Sequence, residues 1–386
     1  MKVVIILPTY NEKGNIERLI PILENEIFPK IKNHDMHILV ADDNSPDGTA
    51  NEVKHLMKKW ENLYLNTGEK QGLGAAYIRA MIFAIEKLNA DIMFEMDADF
   101  FHDPNKLPKF LKKIDEGYDM VIGTRYSNGG SIPRNWGLHR KIFSMFGNFL
   151  VRTILMRFWI HDWTGGFRAM KKEVFLKEKN ALEKFKGYTF QVAFLHKAVR
   201  DGYRIAEVPF AARDRTLGRS KIAPLEYITN LLKYVIRARL FELIHSSFLK
   251  YAITGFVGYI INAVTLEILF RNGFHPAIAG AIGGELAIIW NFSTNNFWSF
   301  SKYKITKPLK VLLKFPQFNL LALGSLVIIS GVLAIGTHFF GSSLRQIYLI
   351  IAIGFFVIPY SYTMYNVFIW KRWHIEFLSG LQRMVG

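Results

Sequence analysis

Residues 91–104 read DIMFEMDADFFHDP. A short apolar run, Ile92 to Met96, carries two carboxylates, Asp97 and Asp99, to its end. The run has the length and composition of a strand buried on both faces of a parallel sheet. The strand is expected to end and bend at the acidic pair. Paired carboxylate oxygens in such a place suit a hard divalent cation that holds a diphosphate. Working outward, Val3–Leu7, His37–Ala41, Leu63–Asn66 and Met120–Ile122 read as further strands, with helices over 16–26 and 75–88 between them. Strands alternating with helices predict an open α/β sheet. Ligands bind such sheets beyond the carboxyl ends of the strands. The polar clusters at 8–12, 42–47, 97–103 and 123–126 all fall at such ends. Each cluster alone also fits a capped turn, and Gly72-Leu-Gly74 most simply serves a turn. Their coincidence on one sheet edge points to one site.

Composition sets the wider frame. The chain has 386 residues, half of them hydrophobic, a net charge of +17 and no cysteine. The length allows two or three domains, and the missing cysteines exclude disulfides and thiolate metal sites. A strongly basic chain meets nucleic acid, anionic lipid or phosphorylated substrates. The long apolar runs of the second half favour lipid and phosphate, so no nucleic-acid partner is expected. The chain opens directly on a strand and is interrupted at Pro8, unlike a cleaved signal sequence. The soluble part is therefore expected to stay cytoplasmic.

The motifs Pro8-Thr-Tyr-Asn-Glu12, Ala41-Asp-Asp-Asn-Ser-Pro-Asp-Gly-Thr49, Asp97-Ala-Asp99, Gly123-Thr-Arg-Tyr126, Asp162-Trp-Thr-Gly-Gly-Phe-Arg168 and Arg215-Thr-Leu-Gly-Arg-Ser-Lys221 occur in that order. As a set over residues 1–230 they resemble family 2 glycosyltransferases, above all the polyprenyl (dolichyl) phosphate mannose synthases. The resemblance implies a nucleotide-diphospho-sugar transferase fold of GT-A type, Rossmann-like. It also implies inverting transfer of mannose from GDP-mannose to a polyprenyl phosphate, with Mg or Mn as cofactor. Residue by residue, it implies that Pro8, Tyr10, Glu12, Ala41 and Asp43 hold the nucleoside. Asp97, Ala98 and Asp99 match the metal and diphosphate motif. Arg125 falls between donor and acceptor phosphates, Arg140 and Ser144 at the acceptor phosphate, and Arg215 and Lys221 on the donor phosphates. Where relatives often carry Gln or Ser, this chain has Phe101, which cannot ligate a metal. His102, Asp103 or water is then expected to complete the shell.

The residue types suit that chemistry. A departing diphosphate needs its charge neutralised. A sugar hydroxyl acceptor would need a general base. A lipid monophosphate is already anionic and needs positioning instead, for which arginine forks are suited.

Residues 136–159 mix Arg140, Lys141, Arg152 and Arg157 with many aromatic and aliphatic side chains. That pattern predicts a helix lying in a membrane interface, and residues 223–246 read the same way. The alternative for both is a core helix with a basic outer face. Apolar runs near 248–270, 276–298, 316–340 and 346–370 each have the length of a bilayer span. Lysines 302, 304, 307, 310 and 314 between the second and third, and Lys371, Arg372 and Arg383 after the fourth, predict cytoplasmic loops. The expected order is a catalytic domain over 1–222, an interfacial helix over 223–246 and an all-α four-helix transmembrane domain over 247–386. Glu285 to Phe300 resembles the small GtrA-like membrane family, and Tyr365 to Trp370 echoes it, as a two-span repeat would. Glu267 and Glu285 lie within spans, where acids are functional or link helices. The expected protein is thus an integral membrane protein, in the cell membrane if prokaryotic, with its catalytic domain and C-terminus cytoplasmic. The alternatives are glucose or another sugar from a UDP donor, a processive synthase, and a lipid-linked sugar flippase or scaffold. The processive synthases' Gln-x-x-Arg-Trp motif is not apparent.

Overall fold

The computed structural model describes residues 1–185, 187–213 and 224–373. The chain divides into two compact units, Met1–Arg239 and Leu240–Gly386. In the first unit the strands are β1 (Lys2–Thr9), β2 (Asp35–Asp42), β3 (Leu63–Thr67), β4 (Ile92–Glu95), β5 (Met120–Thr124), β6 (Arg168–Lys171) and β7 (Ile205–Pro209). They form one sheet in the order β3-β2-β1-β4-β6-β5-β7. All neighbours are parallel except β6, which runs against both β4 and β5. The first four strands match the sequence reading closely. The sheet is mixed rather than all parallel because β6 enters from the Asp162–Arg168 loop. That reversal brings Arg168, the first residue of β6, opposite Glu95, the last of β4. The loop before β6 thereby reaches the same edge as the carboxyl ends of β1, β2, β4 and β5.

Helices α1 (Lys13–Ile22), α2 (Thr49–Leu56), α3 (Leu73–Glu86), α4 (Leu107–Asp115), α5 (Leu138–Leu155), α6 (Lys172–Leu182) and α7 (Thr189–Arg200) cover the two faces. Strand alternation splits the core accordingly. Met93 packs in one apolar cluster with α3, α6 and α7, and Phe94 in the other with α1 and α4. In α4 the buried residues are Leu107, Phe110, Leu111 and Ile114, the i, i+3, i+4, i+7 stripe of an amphipathic helix.

The glycine pair before α3 is structural. Gly72 has φ +104°, open to glycine but strained for other residues. Gly74 is pressed against the α7 side of the core: a Cβ there would lie 2.1 Å from the Phe185 carbonyl oxygen and 2.8 Å from Phe190 Cβ. Gly74→Ala is therefore expected to destabilise the catalytic unit by about 1–3 kcal/mol through overpacking. Thermal unfolding checks this, and an unchanged midpoint would show that the backbone there yields.

Helix α5 turns only a narrow stripe inward. Asn148, Val151 and Leu155 are buried, whereas Leu138, Ile142, Phe143, Phe146 and Phe149 are more than half exposed. Helix α8 (Pro224–Ile244) crosses the boundary between the units. Its Leu231 and Val235 are buried in the catalytic core, while Ile236, Leu240, Phe241 and Ile244 are exposed. It thus combines a core-packed face with an open apolar one.

The second unit holds α9 (Ser247–Arg271), α10 (Pro276–Thr294), α11 (Pro308–Phe340), α12 (Arg345–Ile351) and α13 (Ile358–Met364). Three stretches among the described residues are long and apolar enough to cross a membrane: Ser247–Arg271, Pro308–Phe340 and Ser342–Ile369. Helix α10, the second of the four expected spans, is not among them. Glu285 sits at its middle, exposed, with Asn291 a few residues on, and both lower its apolar character. Glu267 pairs with Arg271 at 2.7 Å one turn later, near the end of α9.

The expected repeat has a structural counterpart. Each helical pair ends in a π-turn, Asn295–Ser299 and Tyr365–Ile369. The residues that follow, Phe300 and Trp370, stack with ring centroids 4.3 Å apart. Asn296 Oδ1 accepts from Ile305 N at 2.8 Å and from Trp370 Nε1 at 3.1 Å.

Candidate active site

The loop after β1 and the loop after β2 are tied to each other by carboxylates. Thr9 Oγ1 and Ser45 Oγ donate to Asp42 Oδ1 at 2.9 and 2.5 Å. Asp47 accepts from Lys13 N at 3.1 Å and from Thr49 Oγ1 at 2.5 Å. Asn11 and Asn44 take positive φ at the two bends, which asparagine tolerates better than most residues. Asp42 and Asp47 are thus committed to the loops. Asp43 instead meets Arg79 NH2 at 2.9 Å, and Arg79 Nε donates to Asn66. Burial raises the pKa of Asp43, and Arg79 opposes that rise. Pro8 and Ala41 are paired across β1 and β2. Lys70 Nζ lies 3.4 Å from the centre of the Tyr10 ring, and Glu12 accepts from Asn15 Nδ2 at 2.7 Å. The five residues expected around a nucleoside therefore cluster on one pair of strand ends.

At the end of β4 the ladder stops with Met96 N donating to Ile6 O. The chain then bends as expected. Asp97 N donates to His102 Nδ1 at 3.0 Å, and Phe101 N donates to Asp99 Oδ1 at 3.1 Å. Phe100 takes φ +64°, a strained region for a bulky residue. The Asp97 side chain is 31% exposed, whereas Asp99 is buried, as is Ala98 between them.

Of the two candidate substitutes for a third ligand, His102 is buried and stacked on Phe167 at 4.9 Å; its Nδ1 accepts from the Asp97 amide and its Nε2 lies 3.8 Å from Asp97 Oδ2. Asp103 caps the next turn through Asn105 N. Among the described residues no group of three or more His, Cys, Asp or Glu could hold a metal by itself. Asp97 and Asp99 fit a hard cation as part of a shell that a diphosphate and water complete.

Sequence reading passed over Glu95. Both its carboxylate oxygens are buried, and burial lifts its pKa to about 7 against the pull of Arg168 and Gln191. Arg168 itself, fully buried, donates to the carbonyls of Gly165 at 3.0 Å and Gln191 at 2.6 Å and so fixes the loop before β6.

That loop supplies Asp162, which grips Arg125. Arg125 Nε and NH2 donate to Asp162 Oδ2 and Oδ1 at 2.7 and 2.8 Å, and Arg125 N adds a third bond at 3.1 Å. Burial opposes ionisation of Asp162, but the Arg125 charge and these bonds outweigh it and hold the carboxyl below its usual range. Arg125 NH2 also donates to Thr164 Oγ1, which accepts in turn from Asn148 Nδ2 on α5, at 2.9 and 3.0 Å. Tyr126 OH meets Ser144 Oγ at 2.5 Å. Arg140 lies over Trp136, its Cζ 3.8 Å from the ring centre. Arg125 and Ser144 are thus linked through Thr164, Asn148 and Tyr126, whereas Arg140 is placed by its contact with Trp136. Arg215 and Lys221 lie outside the described residues. Thr164, Asn148 and Trp136 were missed, although a buried amide on an otherwise apolar-and-basic helix was a signal that Asn148 faces something polar.

Comparison with known proteins accords with this architecture. Residues 4–177 match the model of glycosyl transferase family 2, and residues 250–370 that of the GtrA/DPMS transmembrane domain. A dolichol-phosphate mannosyltransferase from Pyrococcus furiosus is 31% identical over 82% of this chain and 86% of its own length. A polyprenol monophosphomannose synthase from Mycolicibacterium smegmatis is 34% identical over 62% of this chain and 89% of its own. Glucosyl-3-phosphoglycerate synthase from Mycobacterium tuberculosis, solved with UDP, is 18% identical over 62% of this chain and 80% of that one, with a TM-score of 0.44. The chain belongs to glycosyl transferase family 2, in the dolichol-phosphate mannosyltransferase group, and carries a GtrA/DPMS transmembrane domain.

Proposed function

We propose that the chain transfers mannose from GDP-mannose to a polyprenyl phosphate, with inversion at the anomeric carbon. The observation that carries this reading is the juxtaposition of Asp97 and Asp99 with a second, cationic group. Arg125 lies against Phe101 next to that pair, and Arg140 lies on α5, whose apolar face is open. An acidic pair faces a nucleotide diphosphate through a cation, and an arginine pair beside an apolar helix suits a phosphate on a lipid.

In this reading Pro8, Tyr10, Glu12, Ala41 and Asp43 line the nucleoside. Asp97, Ala98 and Asp99 face the diphosphate, where Asp97 and Asp99 would hold a Mg or Mn ion that neutralises the leaving group. Arg215 and Lys221 are assigned to the same phosphates. Arg125, Arg140 and Ser144 take the acceptor phosphate. An oxygen of that phosphate attacks the sugar C1 while the bond from C1 to the donor phosphate oxygen breaks, and the nucleoside diphosphate leaves. The nucleophile is already an anion, so orientation by guanidinium forks replaces proton removal. Residues 1–222 form the catalytic domain. Helix α5 and the open face of α8 lie at the headgroups, and four spans over 247–386 hold the chain in the membrane. The lysine-rich segment 302–314 and the catalytic domain share the cytoplasmic side.

The test is transfer in detergent to a short-chain polyprenyl phosphate from radiolabelled GDP-mannose, with UDP-glucose in parallel. Mannosyl lipid from GDP-mannose alone is the expected product. Glucosyl lipid from UDP-glucose alone would overturn the donor assignment and leave the acceptor standing. No lipid product from either would overturn the reading.

A further inference from the structure

Helix α3 carries one cation in its apolar length. Of its fourteen residues, LGAAYIRAMIFAIE, only Arg79 and Glu86 are charged, and Arg79 stands between Ile78 and Ala80, both buried. Its guanidinium reaches the carboxyl ends of two strands. Nε donates to Asn66 Oδ1 on β3 at 2.9 Å, and NH2 donates to Asp43 Oδ1, just past β2, also at 2.9 Å. The Asp43 side chain is 10% exposed and that of Arg79 26%.

Several features mark a seat built for this guanidinium. A Cβ added at Gly68 would lie 2.5 Å from Arg79 NH1 and 2.6 Å from Cζ, so the fork fills the place of a side chain there. Two partners on separate strands fix the plane of the fork, as a single bond would not. The backbone around it is tied as well: Asp43 N donates to Thr9 O and Gly68 N to Asp42 O, both at 3.0 Å. The main chain thus fixes where Asp43 stands, and Arg79 steers its side chain. Burial works against the charged form of Asp43; the Arg79 bond and charge favour it, Asp42 repels it and Lys70 adds to the attraction. An ionised carboxylate only accepts hydrogen bonds. The partner it suits in a nucleoside is a ring N–H, which guanine presents beside an exocyclic amino group and uracil presents alone.

We infer that Arg79, seated between Asn66 and Gly68, is a positioning residue that holds the Asp43 carboxylate to accept from the N–H edge of the donor's nucleobase. This rests on the reading of Asp43 as a nucleoside-side group. It extends the nucleoside site from the ends of β1 and β2 to β3 and α3, with Arg79 acting through Asp43.

The test uses the full chain in detergent with Mg present. It reads GDP affinity by calorimetric titration, together with steady-state transfer. Arg79→Met keeps the aliphatic stem and removes the fork. It is expected to weaken GDP binding about tenfold and to raise the KM for GDP-mannose alike, with kcat and the KM for polyprenyl phosphate changed less than about twofold. Arg79→Lys returns a cation and is expected to recover part of the loss. Asp43→Asn weakens GDP binding by itself, and adding Arg79→Met to it should cost less than about twofold more, because both act on one carboxylate. Thermal unfolding of each variant identifies one that fails to fold. Gly68→Ala is then the substitute: it keeps Arg79, displaces its fork, and is expected to weaken GDP binding in the same direction. Unchanged GDP affinity in folded Arg79→Met overturns the inference and leaves the transfer reading standing. Additive losses in the double variant overturn it too, because Arg79 then acts elsewhere than on Asp43. If the wild type binds UDP in place of GDP, with the same cycle of losses, the inference stands and the donor assignment fails.

Discussion

Asp99→Asn is expected to lower kcat for mannosyl transfer by about 10²–10³-fold while leaving the fold intact. The substitution is chosen for what it preserves. Asp99 accepts from Phe101 N through Oδ1 at 3.1 Å, and an asparagine Oδ1 accepts the same bond, so the strained bend at Phe100 keeps its support. Only the negative charge is lost. Asp97→Asn is expected to have the same sign and a smaller effect, since Asp97 is partly exposed and water can take its place. Chelation with EDTA should remove wild-type activity and Mg or Mn should return it. Should Asp99→Asn turn over at the wild-type rate, and wild-type transfer survive EDTA, the acidic pair would have no part in holding the leaving group.

Much of this arrangement was legible because strand ends are where polar clusters interrupt apolar runs. Val3–Leu7, His37–Ala41 and Ile92–Met96 announced β1, β2 and β4, and the residues after each marked the edge of the sheet. The direction of β6 was not legible. Four residues, Arg168–Lys171, carry too little pattern to reveal a strand, and nothing local records that it runs antiparallel. That unseen reversal is what returns Asp162 to Arg125. The site residues with fixed motif positions, Asp97, Asp99 and Arg125, could be named. Thr164, which accepts from Arg125, and Asn148, which donates to Thr164, could not, because contacts between residues distant in sequence depend on the turn of α5 over the loop. Phe101 shows the same limit in another form. As a letter it was a missing ligand, whereas in three dimensions it is an aromatic face between Arg125 and Trp136. In the second unit apolar length sufficed for α9 and α11. Glu285 left α10 short of the same threshold.

Asp162→Asn is the second large effect expected, and it separates structure from catalysis. The Arg125–Asp162 pair is bidentate and buried, with the Arg125 amide as a third donor. Removing one charge leaves the guanidinium uncompensated, which typically costs about 3–5 kcal/mol in such pairs. Thermal unfolding should show that loss, and transfer should fall with it because Arg125 is no longer held toward the acceptor. The double variant Asp162→Asn, Arg125→Met removes the stranded charge as well. Its stability should recover relative to Asp162→Asn, whereas its transfer should not recover, since the fork itself is gone. Recovery of both would show that the pair is architecture alone. The pH dependence has a definite sign. The Asp162 carboxyl is held below its ordinary value of 3.8, so its contribution is present above that value and is lost only as pH falls through the lower, folded-state pKa. The clamp should therefore remain closed throughout pH 5–8, and an activity loss within that range that vanished in Asp162→Asn would contradict the assignment.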